Sequence, residues 1–167
     1  YFEMVKLYAK PYSAGNVTTN PGLQIVTTPT VNGDVSGASQ IARSTVQQTY
    51  DQILSDLNAA KNIIGGEAGV YGSGAAVSAV LSRVYLQMEN FEAARDAADD
   101  VIQNSGLGLE NDYSSAFNNN APSSEDIYVL PVTAQDGANE LHTYWSILDR
   151  SEEHTSELQS RQYLVCR

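Results

Sequence analysis

A single cysteine, Cys166, lies one residue from the end of the 167-residue sequence, so the rest of the chain offers neither a disulfide nor thiolate chemistry. Histidine is almost as scarce. His142 has no Cys, Asp or Glu around it at a metal-ligand spacing, His154 falls in the C-terminal tail, and no Gly-x-Ser-x-Gly elbow occurs. No metal and no catalytic nucleophile is therefore expected. Basic residues are outnumbered, 9 Lys and Arg against 20 Asp and Glu, for a formal charge of −11. Arg150, Arg161 and Arg167 balance Glu152, Glu153 and Glu157, which places the whole acidic excess in residues 1–149. Phosphate-backbone binding needs clustered Lys and Arg, so nucleic acid is excluded as a partner and the acidity reads as solubility. Long apolar runs are missing too. The longest, Ala75 to Met88, is interrupted by Ser78, Ser82, Arg83 and Gln87 and falls short of the roughly twenty residues that span a bilayer. No basic start and apolar run of a secretory signal precedes Tyr1. Tyr1-Phe2-Glu3-Met4-Val5-Lys6-Leu7-Tyr8 already carries apolar groups at helical spacing, with no capping residue ahead of it. The expectation is a chain that begins inside a helix, as an internal fragment.

What is present is mostly helical patterning. Pro11 to Gln40 is rich in Gly, Pro, Thr, Asn and Ser, with turn signals at Asn20-Pro21-Gly22 and Asn32-Gly33-Asp34, and reads as a long loop holding a short extended piece at Leu23–Val26. Ser44-Thr45-Val46-Gln47 has the form of a capping box. Val46, Tyr50, Ile53, Leu54, Leu57, Ala60 and Ile64 then make one apolar stripe, stopped by Gly65-Gly66. A second helix, Ala75 to Met88, is apolar on almost every side and must lie between neighbours. Asn90 caps a third, whose small-residue face is Ala93, Ala94, Ala97, Ala98, Val101 and Ile102 and whose stop is Gly106. Only Glu89-Asn90 joins the last two, so they are expected to fold back as an antiparallel hairpin resembling a tetratricopeptide unit, with Val80, Leu81, Val84, Ala94, Ala97 and Val101 buried together. Further on, Leu109, Tyr113 and Phe117 read as apolar anchors, and Ile127 to Val132 as a short β-strand confined by Pro131 to an edge or an end.

Several motifs invite a chemical reading. Gly72-Ser73-Gly74-Ala75-Ala76-Val77 is superficially like a dinucleotide fingerprint, but Val77 replaces the third small residue and only Val70-Tyr71 stands where a strand should be; it reads as a helix start. Asp99-Asp100 and Glu110-Asn111-Asp112 lack the spacing of a calcium loop and read as solvated charges, and Asn16-Val17-Thr18 as loop chemistry. Tyr144-Trp145 follows a Gly- and Asn-rich turn and is the candidate ligand-binding pair, because aromatic faces stack on the apolar faces of sugar rings.

Taken in order, the blocks Tyr1 to Tyr8, Arg43-Ser44-Thr45-Val46 with Tyr50-Asp51-Gln52-Ile53 and Asp56-Leu57, Ala79 to Leu86, Ala93 to Ala98, and Leu109, Tyr113 and Phe117 before Glu125-Asp126-Ile127-Tyr128 resemble the SusD/RagB family over most of residues 1–128. Ala9-Lys10-Pro11 departs from the Gly and Pro-containing turn common there. The resemblance implies a mainly α fold of tetratricopeptide-like helical hairpins with long loops and a short β-strand, of which residues 1–149 are an incomplete domain. It also implies a surface-exposed lipoprotein of the outer membrane, held by an N-terminal lipid anchor missing from this fragment. Such a protein would be a non-enzyme without cofactor that binds oligosaccharide and delivers it to a SusC-like TonB-dependent transporter. The alternative is a tetratricopeptide-type protein–protein scaffold. Residues 150–167 are expected not to belong to that domain: Arg150-Ser151-Glu152-Glu153-His154-Thr155-Ser156-Glu157-Leu158-Gln159-Ser160 resembles a translated sequencing adapter.

Overall fold

A computed structural model describes residues 1–28, 41–64, 71–112, 115 and 122–130. These form α1 (Phe2–Tyr8), a 3₁₀ turn at Tyr12–Ala14, α2 (Val46–Ile63), α3 (Gly74–Gln87) and α4 (Phe91–Asn104), with no sheet among the described residues. The chain divides into two compact units, one of residues 1–63 and 77–98, the other holding described residues 64, 71–76, 99–112, 115 and 122–130. Gly65-Gly66, Tyr113, Phe117, Tyr144, Trp145 and the tail 150–167 lie outside the described residues.

In the first unit Val5, Leu23, Val46, Tyr50, Ile53 and Val84 form the core, with Phe2, Ala9, Tyr12, Val17, Leu54, Leu57, Val80 and Met88 packed against it. The α2 stripe is thus buried at Val46, Tyr50 and Ile53 and half-buried from Leu54 through Leu57 and Ala60 to Ile64, while Ile63, off the stripe, is exposed. Tyr12 meets Tyr50 edge to face at 5.1 Å and donates its phenol proton to Gln47 Oε1 at 3.2 Å. The 15–28 segment docks on the start of α2. The Gly22 amide donates to the Ser44 carbonyl (2.6 Å), the Ser44 amide to Leu23 (2.8 Å), and the Val46 amide to Asn20 (2.9 Å). An isolated antiparallel bridge pairs Pro21 with Thr45. This docking moves the capping box one residue along from Ser44. With the Ser44 backbone engaged by Gly22 and Leu23, Thr45 is the cap: its amide donates to Gln48 Oε1 (2.9 Å) and its hydroxyl accepts from the Gln48 amide (3.2 Å).

Gly22 has no room for a side chain, since a Cβ there would strike Thr49 Oγ1 and the Thr45 carbonyl. Arg43 completes the docking. Its Nε donates to the Gly22 carbonyl (2.7 Å) and its Nη2 to the carbonyl of Tyr8 at the end of α1 (2.8 Å), where a cation also suits the helix dipole.

The α3–α4 hairpin folds as expected. Glu89, at φ +59°, supplies the left-handed turn residue, and Asn90 Oδ1 accepts from the Ala93 amide at 3.3 Å. Ser82 donates to the Ala94 carbonyl at 2.9 Å, and the two residues lie equally far from Met88, as an antiparallel pair requires. Leu81, Val84 and Ala94 are buried, whereas Val80, Ala97 and Val101 are half-buried.

In the second unit Ser73 is fully buried and caps α3 through the Ala76 amide, and Gly106 follows α4 at φ +72°. Residues 108–110 then run beside 124–125: the Gly108 amide donates to the Ser124 carbonyl (3.1 Å) and the Glu110 amide to Glu125 Oε1 (2.9 Å). Gly108 and Glu110 use that edge, so the intervening Leu109 is turned away; it is 88% exposed and not an anchor. Among the described part of the expected strand, residues 127–130, only Tyr128 occupies a bridge position.

Candidate functional site

The aromatic pair Tyr144-Trp145 falls outside the described residues, so the site that geometry builds is elsewhere in the first unit. An open depression of about 370 Å³ is lined by Ile25, Ser44, Gln48, Asp51, Gln52 and Ser55. Four of these belong to α2 at positions i, i+3, i+4 and i+7, one face of a helix. Because Val46, Tyr50 and Ile53 of the same helix are committed to the core, this polar row is left toward solvent. Ile25 is brought over it by the extended segment. The Leu23 amide donates to Thr49 Oγ1 at 3.1 Å, and the Tyr1 phenol both donates to the Val26 carbonyl (2.8 Å) and accepts from its amide (2.9 Å). Gln24 Nε2 donates to the Ile41 carbonyl, closing the two sides of the loop on each other.

Part of the row's hydrogen-bonding capacity is spent locally. Gln48 Oε1 serves the cap, Asp51 Oδ1 accepts from Gln47 Nε2 (3.0 Å), and Gln52 Nε2 donates to Asp56 Oδ1 (2.7 Å). Beyond these contacts the lining carries an amide N–H₂ on Gln48, the second Asp51 oxygen, the Gln52 carbonyl and two serine hydroxyls as donors and acceptors. Such a set suits a hydroxyl-rich neutral ligand. Among the described residues Asp51 is the one ionisable group of the lining. Among the described residues no three His, Cys, Asp or Glu side chains come together to hold a metal ion, and no helix is long and apolar enough to cross a membrane.

Four other residues singled out in the sequence have structural roles. Ser73, in the Gly72–Val77 stretch, is a helix cap; Asp100 accepts from Asn104 Nδ2 at 2.8 Å; and Asn16, at φ +52°, closes a turn with Thr19 and Asn20. Glu110 is held below the usual carboxylate range by hydrogen bonds from the Ser124 hydroxyl and amide. Sequence reasoning missed the groove. Its signal was available in part, since Gln48, Asp51, Gln52 and Ser55 repeat at helical spacing opposite the apolar stripe.

Comparison with known proteins follows the same lines. A sequence model of SusD-like proteins, described as starch-binding associating with outer membrane, matches residues 1–86. A SusD superfamily protein of Bacteroides thetaiotaomicron superposes with a TM-score of 0.70 at 31% identity, over 81% of this chain and 29% of that one. A second, from Bacteroides fragilis, gives 0.70 at 28% identity over 83% and 32%. A third, from Bacteroides vulgatus, shares the fold with a TM-score of 0.66 at 22% identity. No curated protein matches significantly. The chain spans about a third of the length of the structures it matches. With a family match over half its residues and a 31% identical relative superposing on four-fifths of it, the chain belongs to the SusD-like family, the one described as starch-binding and associating with the outer membrane.

Proposed function

We propose that the full-length protein captures an oligosaccharide at the cell surface without cleaving it and delivers it to a SusC-like TonB-dependent transporter, held to the membrane by an N-terminal lipid anchor outside this chain. The observation that carries this reading is the family match over residues 1–86, the stretch that builds α1, α2 and most of α3. The hydroxyl, amide and carboxylate lining of the α2 groove is compatible with a sugar. Stacking is assigned to Tyr144 and Trp145, whose ring faces suit pyranose rings.

A site of a few such contacts binds at roughly micromolar to millimolar strength, about 4 to 8 kcal/mol. Tighter capture needs the transporter to enclose the sugar. Calorimetry of the full-length ectodomain against plant, host and microbial glycans, with product analysis alongside, is the test. The expected result is binding of at least one glycan with no product, weakened about 2- to 12-fold by Trp145→Ala, the worth of one stacking contact. Turnover of a glycan would make the protein an enzyme. Firm binding of a peptide with none of any glycan would make it a tetratricopeptide-type scaffold.

A further inference from the structure

The α1 helix has two apolar faces, and among the described residues only one of them is covered. Val5 is 2% exposed in the core, with Phe2 and Ala9 packed beside it. The charged residues of the helix, Glu3 and Lys6, pair with each other at 2.6 Å. The remaining stripe, Met4, Leu7 and Tyr8 at i, i+3 and i+4, is 53%, 75% and 64% exposed. Tyr1 and Val26, joined by two hydrogen bonds, are partly exposed as well. Single exposed apolar residues are ordinary, but a whole stripe on a seven-residue helix is not. A helix this short draws its stability from packing, and one apolar on opposite sides is built to be sandwiched.

What covers it is indicated by chain length. Relatives that superpose on four-fifths of this chain are about three times as long, since the shared part is 29% and 32% of them. Most of a SusD-like polypeptide therefore lies beyond these residues. We propose that the Met4, Leu7 and Tyr8 face is an internal packing surface, covered in the full-length protein by a segment of the same polypeptide outside this chain. It is then neither a ligand-binding nor a transporter-docking surface. The inference is independent of which sugar, if any, the protein binds.

Met4 and Met88 are the two methionines of this chain and allow a test without substitution. The purified full-length protein, alone and dilute, is treated with hydrogen peroxide, and sulfoxide at each methionine is followed by peptide mass spectrometry. Met4 in the native protein is expected to oxidise about tenfold or more slowly than in the same protein unfolded in guanidinium. A Leu7→Cys variant should show the same protection from a maleimide. Oxidation of Met4 at the unfolded rate overturns the proposal. So does protection that appears only at high protein concentration, which means a second copy, or only with added transporter, which means a docking surface. The methionine readout decides even where Leu7→Cys does not fold.

Discussion

Thr49 is a buried side chain that ties the 15–28 segment to α2. It is fully buried, accepts the Leu23 amide at 3.1 Å and donates to the Thr45 carbonyl at 2.9 Å. Thr49→Val keeps the branched shape and removes one oxygen, and the two losses are unequal. The Thr45 carbonyl retains the Thr49 amide at 3.0 Å, so it stays paired. The Leu23 amide has no substitute, and a buried N–H left unpaired costs about 1–3 kcal/mol. The extra methyl returns part of that through apolar burial, which leaves a net loss of about 1–2 kcal/mol. That is a factor of about 5–30 in the opening equilibrium of this segment. Hydrogen exchange of the peptide spanning residues 21–26, followed by mass spectrometry in the full-length protein, reads the change directly. Thr49→Val should raise exchange at Leu23 by about that factor, while Thr49→Ser, which keeps the hydroxyl, should raise it much less. Equal exchange in the valine and serine variants would refute the reasoning.

Gly22→Ala should destabilise by about 1–3 kcal/mol, because its Cβ meets the Thr49 hydroxyl and a backbone carbonyl, and thermal melting measures it. Burial, and then the adjacent Tyr12, raises the Tyr50 phenol above its ordinary value of 10.0. The folded state therefore favours the neutral phenol, so this contribution is complete below pH 10 and is lost as pH rises through the higher folded value; absorbance titration near 295 nm should show one tyrosine ionising late, together with unfolding. Residues 150–167 are proposed to be foreign to the gene, and resequencing the locus is expected to return an open reading frame that departs from this sequence at about Arg150.

Local chemistry was enough for the helices and some of their ends. Asn90 caps α4 because an amide oxygen three residues before Ala93 can reach its amide wherever the helix sits, and Gly106 adopts positive φ because it lacks a Cβ. The short link at Glu89-Asn90 left the two helices no course but to fold back. Ordered blocks of such local patterns also sufficed to indicate the family. Where a residue's role depended on a distant segment, the same reasoning went astray. Ser44 looked the better cap until Gly22 and Leu23 occupied its backbone, and Leu109 looked like an anchor until Gly108 and Glu110 turned their edge to residues 124–125. The polar row on α2 could be read from its spacing, but Ile25 and Ser44 join it only because Thr49, Tyr1 and Arg43 pin the loop there. Helical periodicity is a property of neighbours within four residues, whereas a groove is made by groups some twenty residues apart, and only tertiary hydrogen bonds decide which of those meet.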